Sequence, residues 1–362
     1  MYEEHTVAVV VPAYNEEGFV GDVIETMPAF VDRVYAIDDC STDDTWAEIV
    51  RHATVSSGVP DAVAGDGDGD GYTDTGTDSQ DHDLPSESGA VADGGATTQA
   101  GPTVVPIQNE ENRGVGGTIK HGYERALADG MDVTAVMAGD GQMDPDQLDR
   151  LLDPIVDGTA DYAKGNRLSG QEYVEEMSSF RLFGNFTLSF LTKISSGYWG
   201  MMDPQNGYTA ISNEALERID IENLYEEYGF TNDLLVALNT RQLRVADVSM
   251  PAVYGDEESH IEYRSFVPNL SWLLLRRFCR RLGLRYVLTD FHPLAFMYLV
   301  GTVGAGIALA GLGAALTARE SADSLPERLL TTALVAMVSG LCLLLAMTFD
   351  RAENEDMVVT IE

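Results

Sequence analysis

Positively charged side chains are scarce in this sequence. Its 362 residues include 22 lysines and arginines against 59 aspartates and glutamates, which gives a formal net charge of −37. Binding a nucleic acid requires Lys and Arg to neutralise phosphates, so the composition argues against a nucleic acid partner. Self-repulsion at this charge would destabilise a compact fold in dilute buffer. We therefore expect a halophile protein that works in a high-salt cytosol, where its charges are screened.

Cysteine is also rare. The three cysteines, Cys40, Cys279 and Cys342, lie far apart in the sequence. An odd number of cysteines at wide spacing fits neither a disulfide framework nor a cysteine-rich metal site. The first residues contain no basic segment ahead of an apolar run, so we expect no cleavable signal peptide.

Charged side chains are missing from two long stretches, Pro293–Thr317 and Leu329–Phe349. Each could cross roughly 30 Å of hydrocarbon, which predicts a transmembrane hairpin over residues 291–350. The alternative for the first stretch is a tightly packed soluble helix, because it is rich in Gly and Ala. Residues 261–290 combine apolar side chains with arginines, a pattern typical of an amphipathic helix at the level of the lipid headgroups.

Arginines are concentrated ahead of the first predicted span and not in the connection between the spans. They are Arg276, Arg277, Arg280, Arg281 and Arg285. Because Lys and Arg collect on the cytoplasmic side of membrane proteins, the N-terminal region and the tail, residues 351–362, are predicted to be cytoplasmic. The sequence thus predicts a multi-pass protein of the cell membrane.

Apolar, β-branched runs alternate with helical stretches through residues 1–260. This alternation predicts an α/β domain with a mainly parallel sheet covered on both faces. The predicted strands are Val7–Val11, Val34–Ile37, Thr103–Ile107 and Val133–Met137, and the predicted helices are Glu17–Met27, Asp43–Arg51, Gly117–Ala128 and Pro145–Val156. The alternation stops over residues 53–102, which hold ten carboxylates and no Lys or Arg. This segment is expected to be a disordered, acidic insertion.

Polar clusters follow the first two predicted strands, at the edge where open α/β sheets bind ligands. The first cluster is Pro12, Ala13, Tyr14, Asn15 and Glu16, and the second contains Asp38, Asp39 and Ser41. Acidic residues at a strand end can accept hydrogen bonds from a base edge and a ribose. The alternative for each cluster is a turn that caps the following helix. Their position at one sheet edge favours nucleotide binding.

Two further clusters follow the third and fourth strands. Glycines around Gly116 stand where a loop enters a helix, which leaves backbone N–H groups free to approach an anion. Asp140 and Gln142 stand two residues apart after an apolar strand and can present oxygens to one divalent ion, which would neutralise a leaving diphosphate. A simple Asp-Gly turn is the alternative for this segment.

In this order, the clusters resemble those of the family-2 glycosyltransferases, most closely the dolichol-phosphate mannose and dolichol-phosphate glucose synthases. The resemblance implies a GT-A-type, Rossmann-like domain, a nucleotide sugar held by the first two clusters, and Mg²⁺ or Mn²⁺ held by Asp140 and Gln142. The family commonly has an additional Asp where this chain has Ala138.

The resemblance continues beyond the metal segment. In the lipid-phosphate branch of the family, the Arg of a Gly-x-Arg motif and a second Arg fourteen residues later receive the acceptor phosphate, and Arg167 and Arg181 have that spacing. Asn185 is assigned to the same phosphate. A surface salt bridge is the alternative for either arginine. Asp203, Gln205 and Asp233 match positions that could serve as a base or contact the sugar.

The resemblance implies the inverting transfer of a hexose, glucose or mannose, from a nucleotide sugar such as UDP-glucose or GDP-mannose to dolichyl or polyprenyl phosphate. Asp140, Arg167 and Arg181 are the expected catalytic residues. Two alternatives stay open. The acceptor could be a lipid-linked oligosaccharide or a diacylglycerol, with Asp203 or Asp233 as base. The chain could instead be an inactive membrane scaffold that has lost a metal ligand at position 138.

Overall fold

The structure is a computed structural model that describes residues 1–56, 101–168, 179–251, 263–317 and 325–362. Almost all of the expected acidic insertion, residues 53–102, lies outside the described residues. Its predicted disorder therefore stays a prediction.

Strand β1 (Val7–Ala13) is the central strand of the sheet, and it is buried on both faces. Val7 and Val9 belong to one apolar core, whereas Ala8 and Val10 belong to a second core on the opposite face. Successive side chains of a strand point to opposite sides, so a strand covered on both sides needs a continuous apolar run. This is the reason that the unbroken valine run forms the centre of the fold.

Seven more strands complete the sheet among the described residues. They are β2 (Arg33–Asp38), β3 (Thr103–Gln108), β4 (Val133–Val136), β5 (Tyr162–Asn166), β6 (Thr209–Ser212), β7 (Val245–Ser249) and β8 (Val358–Ile361). Their spatial order is β3-β2-β1-β4-β6-β5-β7-β8. Only β6 runs antiparallel to its neighbours, β4 and β5. The prediction of a mainly parallel α/β sheet is confirmed.

Helices cover both faces of this sheet and continue beyond it. They are α1 (Val20–Glu25), α2 (Thr45–Ser56), α3 (Gly114–Ala128), α4 (Leu148–Val156), α5 (Ser179–Ser196), α6 (Asn213–Arg218), α7 (Phe230–Thr240), α8 (Tyr263–Arg281), α9 (Pro293–Thr317) and α10 (Leu325–Glu353). Helix α3 lies close against the central strand. A Cβ on its Gly122 would stand 2.4 Å from Cγ1 of Val10, so only glycine fits there. Helix α2 runs beyond its predicted end at Arg51.

The expected amphipathic helix is present as α8, followed by a wider π-type segment, Leu282–Thr289. Two arginines of this segment point into the protein and not to its surface. Arg281 is completely buried, and Arg285 is 6% exposed. Arg281 donates to both carboxylate oxygens of Asp350 at the end of α10, and Arg285 donates to Asn354. These buried partners anchor the amphipathic segment to the residues that follow the second long helix.

Helices α9 and α10 are long and apolar enough to cross a membrane. They pack closely through small residues. A Cβ on Gly301 would stand 2.7 Å from Cγ of Leu343, and one on Gly304 would stand 2.2 Å from Oγ of Ser339. Most of their large apolar side chains are exposed in the folded chain, for example Leu316 at 79%. The alternative of a buried soluble helix does not fit this exposure, because a core helix would hide these side chains.

The predicted tail, residues 351–362, is not a free segment. Its residues Val358–Ile361 form strand β8, which pairs in parallel with β7 at the edge of the sheet. The β-branched run in this segment suits such a strand. The sheet therefore includes residues from both sides of the α9–α10 hairpin, which corrects the domain boundary placed at residue 260.

Candidate active site

The ends of β1 and β2 bring the first two polar clusters into contact. The backbone N–H of Asn15 donates to Oγ of Ser41 over 2.9 Å, and the backbone N–H of Thr42 donates to Oδ1 of Asn15 over 2.8 Å. Asn15 has a φ of 57°, a left-handed conformation that Asn tolerates better than most residues. Tyr14 is exposed beside this contact, and the backbone N–H of Glu16 donates to a threonine of the next helix.

Asp38 and Asp39 are both buried at the end of β2. Oδ2 of Asp38 accepts a hydrogen bond from Gln108 over 3.0 Å. Oδ1 of Asp39 accepts from the side chain of Asn109 over 2.8 Å and from the backbone of Arg113 over 2.9 Å. The two carboxylates thus connect the end of β2 to the end of β3 and the start of α3. Any hydrogen bond from a nucleotide to Asp38 or Asp39 would be made in addition to these contacts.

The glycines at the start of α3 have a packing role. A Cβ on Gly116 would stand 2.7 Å from the backbone oxygen of Glu226. The N–H of Gly117 already donates to that oxygen over 2.9 Å. The glycines therefore allow the loop around Glu226 to approach the helix. Contact between Gly116 and a nucleotide stays a prediction.

Asp140 and Gln142 form a tight turn after β4. The backbone N–H of Gln142 donates to Oδ1 of Asp140 over 3.0 Å, and Gly141 between them has a φ of 70°. Burial raises the pKa of Asp140, while this hydrogen bond and the charge of Arg167 lower it. Ala138 adds no oxygen, and its backbone N–H faces Sδ of Met143 at 3.2 Å.

The side chains predicted to hold a metal and a phosphate line the same small cavity. Asp140, Gln142 and Arg167 meet there with Asn206 and Tyr208, around a volume of about 110 Å³. Its other lining residues are Met143, Asp144, Gln147, Gly207, Met250 and Pro251. Within the part of the chain that the structure describes, no group of three or more His, Cys, Asp or Glu is placed to hold a metal ion. A metal here would need further ligands, from substrate phosphates or from water, beside Asp140 and Gln142.

Arg167 is oriented by Asp203. Its Nε donates to Oδ2 of Asp203 over 2.9 Å, and its backbone N–H approaches the same oxygen at 3.3 Å. Asp203 is 3% exposed, whereas the side chain of Arg167 is 43% exposed. The Nη groups of Arg167 have no hydrogen-bond partner among the described residues, so they can bind an anion.

Buried polar residues beside the cavity escaped the sequence-based prediction. Lys164, in the middle of β5, is fully buried, and its Nζ donates to the backbone oxygen of Asn206. Burial lowers the pKa of Lys164 to about 7. Asn166 donates to Oδ2 of Asp247 over 2.8 Å, and burial raises the pKa of Asp247 to about 6. The only signal in the sequence was a lysine within an apolar strand.

Asp233 and Gln205 do not line the cavity of Asp140. Oδ2 of Asp233 accepts from Nη2 of Arg277 over 2.6 Å, and this ion pair faces a second, larger cavity. The side chain of Gln205 donates to Asn232 over 3.3 Å. A role for either residue as a base or sugar contact stays a prediction.

Arg181 and Asn185 lie on helix α5, four positions apart and therefore on one face of the helix. Their side chains lie outside the described part of the structure. Their predicted contact with the acceptor phosphate is not tested by the described contacts.

The sequence matches the model of one protein family, described as glycosyl transferase family 2, over residues 8–60 and 81–220. A UDP-N-acetylglucosamine–dolichyl-phosphate N-acetylglucosaminyltransferase of Methanococcus voltae is 23% identical over 248 residues, which are 68% of this chain and 85% of that protein. A polyprenol monophosphomannose synthase of Mycolicibacterium smegmatis is 32% identical over 156 residues, 42% of this chain and 57% of that protein. A mannosyltransferase of Pyrobaculum calidifontis, solved with GDP-Man and Mn²⁺, is 16% identical, covers 97% of this chain and 86% of its own, and superimposes with a TM-score of 0.46.

Proposed function

This chain belongs to glycosyl transferase family 2, and we propose that it transfers a hexose from a nucleotide sugar to the phosphate of a polyprenol. One observation carries the proposal: Asp140, Gln142 and Arg167 line a single cavity at the carboxyl ends of β4 and β5. Ligands bind at this edge of open α/β sheets. The cavity brings oxygen ligands for a cation together with a guanidinium for a phosphate.

The donor would bind across the ends of β1, β2 and β4. The Asn15–Ser41 contact fixes the two loops relative to each other. Asp38 and Asp39, held by their neighbours, would accept hydrogen bonds from the base and the ribose. Tyr14 is 46% exposed beside them and offers an apolar face to the base.

The residues present fit an oxygen-liganded divalent ion. Asp140 supplies a carboxylate and Gln142 an amide oxygen, and Mg²⁺ is commonly held by one or two carboxylates together with substrate phosphates. When bound, the ion would neutralise charge that develops on the departing nucleoside diphosphate. The choice between Mg²⁺ and Mn²⁺ is left to experiment.

The acceptor phosphate would bind to Arg167, with Arg181 and Asn185 of helix α5 completing its site. A phosphate monoester is already anionic near neutral pH, so it can attack the anomeric carbon without a strong protein base. Asp203 would then act as the partner that orients Arg167 and not as a base, because its Oδ2 is engaged with Nε of that arginine. Direct attack gives a single displacement with inversion and a β-linked hexosyl phosphate lipid.

The membrane location follows from α9 and α10, together with the arginines ahead of them. Strand β8 supports the same arrangement. It follows both long helices and yet pairs in the sheet that contains β1, which supports an arrangement with the two ends of the hairpin on one side of the bilayer. The arginines would make this the cytoplasmic side. The soluble domain would then meet its lipid acceptor at the membrane surface.

Donor screening with the purified full chain in high salt tests the proposal. UDP-glucose, GDP-mannose and UDP-N-acetylglucosamine would each be offered with Mn²⁺ and polyprenyl phosphate, and the lipid product identified by mass spectrometry. We expect one donor to give a glycosyl phosphate lipid, and Arg167→Gln to lose most of the product while still binding the donor. A matched control is Arg125→Gln, an exposed arginine of helix α3 that lies outside the cavity lining.

The same assay separates the alternatives. Transfer to a lipid-linked oligosaccharide or to diacylglycerol, and not to polyprenyl phosphate, would contradict the proposed acceptor. Absence of metal-dependent nucleotide-sugar binding in calorimetry would identify a scaffold that has kept the fold without the activity.

A further inference from the structure

A second and much larger cavity than that of Asp140 lies between helix α7 and the amphipathic segment that leads into the first long helix. Its volume is about 900 Å³, which is within the range of binding pockets for small molecules. It is lined by residues of α6, α7, α8 and the Leu282–Thr289 segment. None of the residues assigned to the transfer reaction except Asp233 takes part in its lining.

Arginines are concentrated in this cavity, although the chain as a whole is strongly acidic. Five of them line it: Arg218, Arg241, Arg277, Arg280 and Arg285. The carboxylates of the lining are Glu217, Asp220, Asp233 and Asp290, and Asp233 is already in an ion pair with Arg277. The chain has a net charge of −37, whereas this cavity is lined by more cationic than anionic side chains. The sign of the charge is therefore locally reversed.

Arg285 forms no salt bridge with a carboxylate among the described residues, although its guanidinium lies 5.2 Å from the centroid of the Tyr286 ring. Arg285 is 6% exposed, and its hydrogen bonds go to neutral acceptors, namely the side chain and backbone of Asn239 and the side chain of Asn354. Its Nε has no hydrogen-bond partner in the described chain. A buried cation without a counterion is costly, and a bound anion nearby would compensate it.

Two more guanidiniums are available at this cavity. Arg241 and Arg280 are exposed, and neither forms a salt bridge with a carboxylate in the described ranges. Together with Arg285 they place cationic groups on both walls, helix α7 and the amphipathic segment. A guanidinium can donate two parallel hydrogen bonds to the oxygens of one phosphate, which makes the contact both directional and strong.

The apolar residues of the lining indicate that a phosphate bound here belongs to a lipid. Leu284 and Leu288 line the cavity, and Leu288 is 77% exposed. Both belong to the segment that immediately precedes Pro293, where the first long helix begins. A ligand that carries a phosphate and an acyl chain satisfies both kinds of lining, whereas a soluble phosphate satisfies only the arginines.

We propose that this cavity binds the phosphodiester headgroup of an anionic membrane phospholipid, held by Arg241 and Arg280 beside the buried Arg285, with the acyl chains along Leu284 and Leu288. This inference rests on the proposed membrane location but not on the transfer reaction. The bound lipid would hold the amphipathic segment and helix α7 together at the membrane surface.

Lipid selectivity of the reconstituted full chain tests this site. Spin-labelled phosphatidylglycerol and spin-labelled phosphatidylcholine are compared in phosphatidylcholine vesicles at high salt, and the immobilised fraction gives their relative association. We expect a preference for phosphatidylglycerol of about tenfold, equivalent to about 1.4 kcal/mol. In the double variant Arg241→Gln, Arg280→Gln the preference should fall close to one.

Arg276→Gln is the matched control, because Arg276 is an exposed arginine of the same helix that does not line the cavity. Unfolding temperatures of the variants check that they fold. No preference in the wild-type chain, or an equal loss in Arg276→Gln, would overturn the proposal. Loss of the preference on addition of inorganic phosphate would also overturn it, because it would indicate a soluble ligand. So would tighter binding of polyprenyl phosphate than of phosphatidylglycerol, because the cavity would then be an acceptor site. Because neither lipid is a substrate, failure here leaves the transfer reaction untouched.

Discussion

Asp203 accepts a hydrogen bond from Nε of Arg167 over 2.9 Å, and this contact determines which edge of the guanidinium is left for a ligand. Asp203 is buried, so the orientation is fixed from inside the domain. Arg167 and Asp140 line the same cavity; burial raises the pKa of Asp140, and the charge of Arg167 offsets part of that rise. The buried carboxylate of Asp203 therefore fixes the orientation of the partly exposed Arg167 at the cavity.

Replacing Asp203 with Asn should weaken acceptor use. The substitution keeps the shape but removes the charge that holds Nε of Arg167, and a hydrogen bond to a charged group contributes roughly 1.5–3 kcal/mol. We expect catalytic efficiency with polyprenyl phosphate to fall about ten- to hundredfold, through KM for the acceptor, while KM for the donor stays unchanged. Initial rates with each substrate varied in turn measure this split.

Asp22→Asn is the control for this substitution, because Asp22 is exposed on helix α1 away from the cavity. Its rates should match those of the wild type. An Asp203→Asn variant that loses donor and acceptor affinity equally would contradict an orienting role toward Arg167.

Ala138→Asp should strengthen metal binding. Ala138 stands two residues before Asp140 and is partly buried beside the cavity turn, so an aspartate there could add a carboxylate to a site that is poor in them. We expect Mn²⁺ affinity in the presence of a nucleoside diphosphate to rise about tenfold, in line with the dependence of such sites on carboxylate number. Titration followed by electron paramagnetic resonance of free Mn²⁺ measures it.

Ala138→Leu introduces a side chain of nearly the same shape as Ala138→Asp but without an oxygen, so it should leave Mn²⁺ affinity close to the wild type. Asp140→Asn should remove most of the binding in the same titration. Retention of full affinity by Asp140→Asn would show that the ion is held elsewhere.

Arg281 and Asp350 form a buried ion pair, and removing only one of the two should destabilise the chain. Its Nη2–Oδ2 distance is 2.8 Å, and both side chains are completely buried. Removing one partner strands a buried charge, so Arg281→Met or Asp350→Leu alone should destabilise the chain by about 3–5 kcal/mol. Thermal unfolding of the detergent-solubilised chain in high salt gives the comparison.

The double variant Arg281→Met, Asp350→Leu leaves no unpaired charge and should recover most of this loss. Arg276→Gln, on the exposed face of the same helix, should unfold like the wild type. Additive losses in the double variant would mean that the two residues contribute independently.

Stability should depend on pH through Lys164. Burial lowers its pKa to about 7 from an ordinary value of 10.5. Between these values the unfolded chain binds a proton that the folded chain does not, so the free energy of unfolding should rise as pH rises from about 7 toward 10.5. In Lys164→Met this rise should be smaller, as measured by denaturant unfolding at several pH values.

The pH dependence of unfolding of the wild type and of Lys164→Met should be compared above pH 7, because Asp247 contributes below that pH. Burial raises the pKa of Asp247 to about 6, so that group gives the opposite slope between its ordinary value of 3.8 and about 6. Identical slopes in the wild type and Lys164→Met above pH 7 would mean that Lys164 keeps its proton in the folded state.

The first four strands, the parallel character of the sheet and the order of the motifs were predictable because they depend on local patterns, whereas β5 to β8 were not predicted. The valine run of β1 needs no partner information to indicate a strand buried on both sides. Asp140 and Gln142 stand after an apolar run, so their place at a strand end could be predicted as well. The match to glycosyl transferase family 2 confirms the family that these motifs indicated.

Other features depend on contacts between distant residues, which no local pattern records. Lys164 and Asp203 are buried only because β5 and the loop before β6 fold together. Arg281 is buried in an ion pair with Asp350, which is sixty-nine positions away in the sequence. The close approach of Glu226 to Gly116 likewise joins residues more than a hundred positions apart, which the glycines alone do not indicate.

Strand β8 is the last part of the sheet to be made. Its residues, Val358–Ile361, are synthesised after both long helices, yet they cover the edge of β7 in the sheet that contains β1. Until they pair with β7, that edge carries unpaired backbone groups. With the proposed hairpin in the bilayer, a chain stalled during insertion would thus expose an unfinished sheet.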